Sequence, residues 1–271
     1  MQRTVFFISD RTAITTETLG HSLLTQFPDA DFRQVRLPFV DDPEKAGEAV
    51  KQVNEATRKD GARAIVFTSI VDQEVSGIMR QCDGVILDLF ATFLAPLEAA
   101  LELRHQPEVG KAHGMSDFER YEDRMDATNY ALNHDDGISV DFSEADLILV
   151  GVSRSGKTPT CLYMALHFGV KAANYPLTED DLDEMRLPSF LRRHKRKIVG
   201  LTIAAGRLAQ IRENRKPGSR YASLRQCRRE LEAAESLLRL EGLPVFDSTH
   251  SSIEEIASRV LLQLGLQREM F

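Results

Sequence analysis

The sequence predicts an α/β fold built in two successive parts, and three observations carry that prediction. Apolar runs short enough for buried strands alternate with segments of helical period through the first hundred residues. From Leu147 to Thr158 an apolar run leads through a glycine-bounded polar loop into another helical segment. Strands and helices then alternate again to the end of the chain. With 271 residues, 42% hydrophobic and 28% charged, the chain is long enough to bury two cores.

Taken in order, TVFFIS, FRQVRLPFV, ARAIVFTSI and GVILDLF read as strands, being β-branched and aromatic runs bounded by polar or turn residues. TETLGHSLLTQF, DPEKAGEAVKQVNEATRKDG, VDQEVSGIMRQ and TFLAPLEAALEL have helical spacing with glycine or polar stops. Strand and helix in repetition favour a parallel sheet, because parallel neighbours need a crossover and a helix supplies it. Residues 1–104 are therefore an N-terminal parallel-sheet βα domain. Residues 105–144, polar and irregular in pattern, are read as a connecting segment that contains the HDDG cluster, His134 to Gly137.

Residues 145–271 make the second domain. Its strand Leu147–Val150 is followed by a helix from Pro159, the strand KIVGLTI, a long charged helical region from Arg207 to Glu241, the strand LPVFDST and a closing helix SIEEIASRVLLQLG. Ser251, three residues ahead of Glu254, is the expected capping box of that helix. RRHKRK, Arg192 to Lys197, reads as a surface turn before a strand. No internal repeat or low-complexity segment stands out.

The loop in this second domain has the spelling G-x-x-x-x-G-K-[ST], met by Gly151, Gly156, Lys157 and Thr158. Two glycines let the backbone curl closely around an anion, and successive N–H groups with a helix N-terminus aim positive partial charge inward. Lys157 adds a full charge, and the Thr158 hydroxyl is a ligand of the kind Mg²⁺ takes. A buried strand before the loop and a helix after it, with Pro159 in the first turn, are the context the motif requires. The second domain is thus a P-loop kinase-like α/β domain, and Gly151, Val152, Ser153, Arg154, Ser155, Gly156, Lys157 and Thr158 are its expected nucleotide-phosphate binders.

A formal net charge of −7 argues against a nucleic-acid binder, whose phosphate contacts favour a basic surface. Cys82, Cys161 and Cys227 are scattered and lack C-x-x-C spacing, which suggests neither a disulfide framework nor a zinc site and fits a reducing, cytoplasmic setting. The histidines form no H-E-x-x-H pattern. The first residues, MQRTVFFISD, hold too short an apolar run for a signal peptide, and no segment approaches the roughly 18 apolar residues of a membrane span. No membrane and no nucleic-acid partner is expected.

At this point ISDRTAITTETLGHSLLTQF, YALNHDDG, GVSRSGKTPTCLYMA, AANYPL, SRYASLRQCRREL and FDSTHSSIEEIA, in this order and across both domains, resemble the bacterial phosphoenolpyruvate synthase regulatory proteins. Those belong with the pyruvate, phosphate dikinase regulatory proteins. The resemblance covers nearly the whole chain. It implies a bifunctional enzyme: a serine/threonine kinase with ADP as donor, and a phosphorylase that removes the same phosphoryl group with inorganic phosphate and releases diphosphate. The implied protein substrate is phosphoenolpyruvate synthase, or alternatively pyruvate, phosphate dikinase, switched off at a threonine near its catalytic histidine. The sequence leaves a homodimer open.

Phosphoryl transfer is mostly positioning and charge neutralisation, so it needs a phosphate cradle, a metal, an in-line acceptor and a group to take the hydroxyl proton. Lys157 is the expected charge at the transferred group. Arg154 either neutralises charge there or faces solvent. Asp146, just ahead of the motif strand, either holds metal-bound water or acts as a base, or is a polar strand-start residue. Asp135 and Asp136 either coordinate Mg²⁺ or accept the substrate proton, assisted by His134, or form an ordinary turn. Thr158 is the expected metal-facing hydroxyl.

The segment RLAQIRENRKPGSRYASLRQCRRE is rich in arginine, and function is expected there only of Arg220 and Tyr221. Ser9, Asp10, Thr12 and Thr15 follow the first strand, where they either bind an anion or cap the next helix. Two other classes share the loop. A small-molecule P-loop kinase fits the second domain and leaves the first without work; a nucleotide-gated binding module would lack turnover. The H-R-D and D-F-G elements of eukaryotic protein kinases and the N/T-K-x-D element of GTPases are absent.

Overall fold

The computed structural model describes residues 2–106 and 118–266, and its contacts divide the chain into two compact units, Met1–Ser116 and Asp117–Phe271. The first unit runs β1 (Gln2–Ile8), α1 (Ile14–Leu24), β2 (Asp31–Leu37), α2 (Pro43–Asp60), β3 (Ile65–Thr68), α3 (Gln73–Met79), β4 (Val85–Asp88) and α4 (Leu89–Leu101). Its strands form one parallel sheet in the order β2-β1-β3-β4. Successive side chains on the central strand point to opposite faces, which splits the core in two. Phe6 and Ile8 pack with Val53, Val66 and Met79, whereas Val5 and Phe7 pack with Leu24, Phe67 and Leu89.

Three helices of this unit start on an aspartate whose carboxylate accepts a first-turn N–H: Asp42 for α2, Asp72 for α3 and Asp88 for α4. The first helix departs from one of the two alternatives read for SDRTAITTETLGH, that of side-chain capping. Its N-cap is Ala13, left-handed at φ 60 and without a side-chain bond, while Asp10 instead accepts the Val71 N–H at 2.9 Å and ties the end of β1 to the end of β3.

The second unit runs α5 (Phe118–Asn133), β5 (Leu147–Gly151), α6 (Lys157–Phe168), β6 (Ala172–Pro176), α7 (Glu179–Asp183), α8 (Ser189–Arg192), β7 (Ile198–Thr202), α9 (Ala205–Arg215), α10 (Leu224–Leu240), β8 (Val245–Asp247) and α11 (Ile253–Leu264). The sheet is again parallel, in the order β6-β5-β7-β8, the same order as in the first unit. That correspondence is one of topology and was not visible as a sequence repeat. All five residues of β5 are buried. Ile148 and Val150 pack towards α10, and Leu147 and Leu149 towards α6 and α11. The strand order reverses between β5 and β7, and the loop after β5 emerges at that switch point, where open α/β sheets leave a crevice for a ligand.

Several elements depart from the sequence expectation. Part of the segment read as irregular, 118–133, is the helix α5; residues 107–117 lie outside the described residues. Its inward face is made of Ala127 and Ala131 against Ala165, and small residues give little periodic apolar signal. The strand β6 was not foreseen within AANYPL. The charged region 207–241 is two helices, because Pro217 and Gly218, the latter at φ 65, end α9 and a 3₁₀ turn at Arg220–Ala222 intervenes before α10. The capping box of α11 is Ser252 with Glu255, one residue later than expected, since the helix begins at Ile253.

Candidate functional site

The loop from Gly151 to Gly156 joins β5 to α6, and its two glycines are required for different reasons. A Cβ on Gly151 would lie 2.2 Å from the Leu201 carbonyl oxygen, so this glycine lets β5 approach β7. Gly156, at φ +94, is the N-cap of α6 and has open space around a notional Cβ. It is needed for its backbone conformation, which other residues adopt only with strain.

A cavity of about 460 Å³ opens on this loop. Asp136, Arg154, Lys157 and Thr158 line it, together with Arg207, Ile203 and Ile211. Lys157 is 3% exposed and donates to the Val152 carbonyl at 3.0 Å. Burial pushes its pKa down to about 8, against the opposing pull of Asp136 and Asp135. Ser155 is fully buried with no partner for its hydroxyl among the described residues, while its carbonyl accepts from Ser248 at 2.9 Å. Ser248 also donates to the Thr202 carbonyl at 3.0 Å, which fastens the loop to the end of β7.

The HDDG segment folds as a 3₁₀ turn beside the first turn of α6. Thr158 donates to Asp135 Oδ1 at 2.7 Å, and Asn174 Nδ2 donates to the same oxygen at 2.5 Å. The Asp136 N–H donates to Asn174 Oδ1 at 3.2 Å, so one buried amide on β6 holds both aspartates of the turn. Asp136 is left-handed at φ 47 and faces the cavity with no hydrogen-bond partner for its carboxylate among the described residues. The structure thus separates two neighbouring carboxylates that the sequence could not rank.

Other expected site residues lie elsewhere. Asp146 precedes β5, at the opposite end of the strand from the loop, where its N–H and carboxylate bond the Lys171 backbone at 2.9 Å each. It is a strand-start residue and takes no part in the cavity. The His134 ring stacks on Tyr130 at 3.8 Å between centroids, and its two nitrogens lie 2.8 Å and 3.0 Å from the carbonyls of Tyr130 and Asp141. That ring props the turn from behind. Arg220 is exposed and does not line the cavity, whereas Tyr221 donates to Ser153 Oγ at 3.0 Å.

Asn174, Arg212 and Ser248 were missed as loop-supporting residues. Asn174 inside AANYPL and Arg212 inside AQIRENR carried no distinguishing signal in the sequence.

Among the described residues no group of three or more His, Cys, Asp or Glu side chains could hold a metal ion. Mg²⁺ needs no such cage, because it keeps waters and takes substrate phosphate oxygens alongside one or two protein ligands. The Thr158 hydroxyl and the Asp135 carboxylate, paired beside the loop, are a donor set that fits it. Chemically, the cavity lining offers amides and a lysine for phosphate, an arginine for developing charge, the Thr158 hydroxyl, bonded to Asp135 behind it, for a cation and the Asp136 carboxylate for a proton.

The sequence comparisons place the whole chain in one family. The family model described as kinase/pyrophosphorylase matches residues 5–261. A protein of Stenotrophomonas maltophilia carrying the name "Putative phosphoenolpyruvate synthase regulatory protein" is 54% identical over 269 residues, covering 99% of this chain and 98% of its own. Proteins of the same name from Alkalilimnicola ehrlichii and Xanthomonas campestris are 52% and 51% identical, over 100% and 99% of this chain and 98% of each relative. With the match running through both units and across the loop, the chain belongs to the kinase/pyrophosphorylase family.

Proposed function

We propose that the chain is a bifunctional enzyme that inactivates and reactivates phosphoenolpyruvate synthase by reversible threonine phosphorylation, with ADP as phosphoryl donor and inorganic phosphate as phosphoryl acceptor. The observation that carries this reading is the cavity of the second unit in which Lys157 and the loop share a lining with Asp136, whose carboxylate has no hydrogen-bond partner among the described residues.

In the kinase direction the threonine oxygen attacks the β-phosphorus of ADP, the bond from that phosphorus to the bridging oxygen breaks, and AMP departs. Asp136 takes the hydroxyl proton. The loop amides and Lys157 hold the β-phosphoryl group, and Arg154 stands where charge develops on it. In the opposite process an oxygen of inorganic phosphate attacks the phosphothreonine phosphorus, the bond to the threonine oxygen breaks, and diphosphate leaves. Asp136 returns the proton to the threonine. Mg²⁺ held by Thr158 and Asp135 would neutralise charge on the phosphate oxygens. Diphosphate has the same two linked phosphoryl groups as ADP, so one cradle serves both directions.

The test is intact-mass measurement of phosphoenolpyruvate synthase incubated with the purified protein, Mg²⁺ and ADP, and then with inorganic phosphate after ADP is removed. Gain and loss of one phosphoryl group are expected, with ATP a poor donor because an added phosphoryl displaces the reacting phosphorus from its in-line position. Transfer from ATP with ADP only inhibiting would return the chain to an ordinary P-loop kinase. Modification of pyruvate, phosphate dikinase alone would move the target within the same activity.

A further inference from the structure

Arg212, on α9, is the largest fully buried side chain of the described residues, at 0% exposure. A guanidinium is expensive to bury, and an apolar side chain of similar volume is often as good or better for stability. What the arginine supplies here is orientation. Its Nε and Nη2 fork on the Ser153 carbonyl at 3.4 Å and 3.0 Å, Nη1 donates to the Tyr221 carbonyl at 3.1 Å, and Nη2 pairs with Glu230 at 2.7 Å. The Tyr221 ring stacks 4.0 Å from the guanidinium carbon, and the Tyr221 hydroxyl holds Ser153 Oγ. Gln226 braces Glu230 at 2.9 Å.

None of Arg212, Tyr221 and Glu230 lines the cavity, whereas Ser153 and Arg154 do. The Ser153 carbonyl is therefore drawn towards the protein interior, away from the cavity. In a trans peptide the C=O and the following N–H point in opposite directions. Fixing the carbonyl behind the loop aims the Arg154 N–H at the cavity. Arg154 itself sits at φ 75, a left-handed conformation that a non-glycine residue keeps only where its surroundings impose it. The fork on the preceding carbonyl is such an imposition.

We infer that Arg212 is a positioning residue of the transfer reaction, which presets the Ser153–Arg154 peptide so that the Arg154 amide meets the terminal phosphoryl group of the diphosphate. The inference rests on the phosphate-transfer reading given above. Arg212 touches no substrate; it acts through the loop. Tyr221 and Glu230 complete the clamp, which explains why an arginine-rich segment distant in sequence bears on the loop at all.

The experiment compares Arg212→Met, Arg212→Lys and Tyr221→Phe with the unaltered protein in three measurements: calorimetric titration with Mg-diphosphate, steady-state transfer from ADP, and thermal midpoint. Arg212→Met keeps volume without donors, Arg212→Lys keeps charge without the fork, and Tyr221→Phe keeps the ring and removes one bond to Ser153 while leaving the core filled. A preorganised donor aimed at developing charge is worth roughly 100-fold or more in kcat. Arg212→Met and Arg212→Lys are expected to lose that much kcat and at least about tenfold in diphosphate affinity, the scale of 1.4 kcal/mol, with the KM for the protein target unchanged. Tyr221→Phe is expected to lose part of both at an unchanged midpoint. Arg212→Met with normal diphosphate affinity and normal kcat per folded molecule would overturn the inference, whatever its midpoint. If the arginine variants do not fold, Tyr221→Phe decides alone, and undiminished affinity and kcat in it overturn the clamp. Failure of the unaltered protein to bind either diphosphate or ADP overturns the phosphate-transfer reading itself, and the clamp's role with it.

Discussion

Thr158, in the first turn of α6, donates to Oδ1 of Asp135 at 2.7 Å across 23 residues of sequence. The same oxygen accepts from Asn174, so Asp135 is engaged by the fold while Asp136, next to it, faces the cavity with its carboxylate unpartnered. The two aspartates therefore have different surroundings, and under the proposed function their variants should fail differently.

Asp136→Asn should lower kcat by roughly 10²–10⁴-fold, the usual contribution of a general base, in both directions, with an unchanged thermal midpoint. Asp135→Ala instead strands the Asn174 amide and the Thr158 hydroxyl, and leaving such a buried group unsatisfied costs about 1–3 kcal/mol. It should lower the midpoint and raise the Mg²⁺ requirement. Parallel kinetics and melting curves decide, and an Asp136→Asn protein with full activity would remove the base from the scheme.

Lys157→Met removes the charge at the transferring phosphoryl while filling most of the same buried volume. Transfer from ADP should be abolished, and because the lysine is buried at a cost, the thermal midpoint near neutral pH should hold or rise. Transfer from ADP retained in this variant would remove the lysine from the transfer step, and a lowered midpoint would show a structural role instead.

The pH dependence follows from the same residue. Burial lowers the Lys157 pKa from 10.5 to about 8. Below about pH 8 the unliganded protein carries this proton and above it does not, whereas a bound diphosphate favours the charged form. Affinity for diphosphate should therefore fall as pH rises through about 8, with proton uptake on binding above that value, read as a buffer-dependent enthalpy in calorimetry. For folding the sign is opposite. The unfolded chain holds the proton up to 10.5 and the folded chain only to about 8, so Lys157 contributes a gain in stability as pH rises between them. An affinity independent of pH from about 7 to about 9, a unit either side of the lowered value of about 8, would contradict the lowered pKa on which both statements rest.

The two glycines of the loop should also fail differently. Gly151→Ala drives a Cβ to 2.2 Å from the Leu201 carbonyl and should destabilise the second unit, seen as a large drop in midpoint or insoluble protein. Gly156→Ala meets no atom within 4 Å but must hold φ +94. It should fold with a loss of about 1–2 kcal/mol for the left-handed residue and impair kinase and phosphorylase together. ADP should compete with inorganic phosphate in the removal assay. Kinase loss with normal, ADP-insensitive release of diphosphate would mean two separate sites.

The sequence by itself determined the parallel α/β character of both units and the place of the loop, because these depend on local signals. Strand and helix periods are properties of a few consecutive residues, and the G-x-x-x-x-G-K-[ST] spelling is contiguous, with Gly156, Lys157 and Thr158 in the first turn of a helix as its chemistry requires. Alanine contacts hid α5, since a small residue buries well and contributes little to periodicity. Only the tertiary structure decided which neighbouring aspartate faces the cavity, that Asp146 lies at the far end of β5, and that Arg212 is a buried clamp among exposed arginines. Each of those outcomes is set by a partner at long sequence separation: Asn174 for the turn, Lys171 for Asp146, Ser153 for Arg212. A charged side chain carries the same letter whether solvated or buried, and what distinguishes the two is the set of acceptors that folding brings around it.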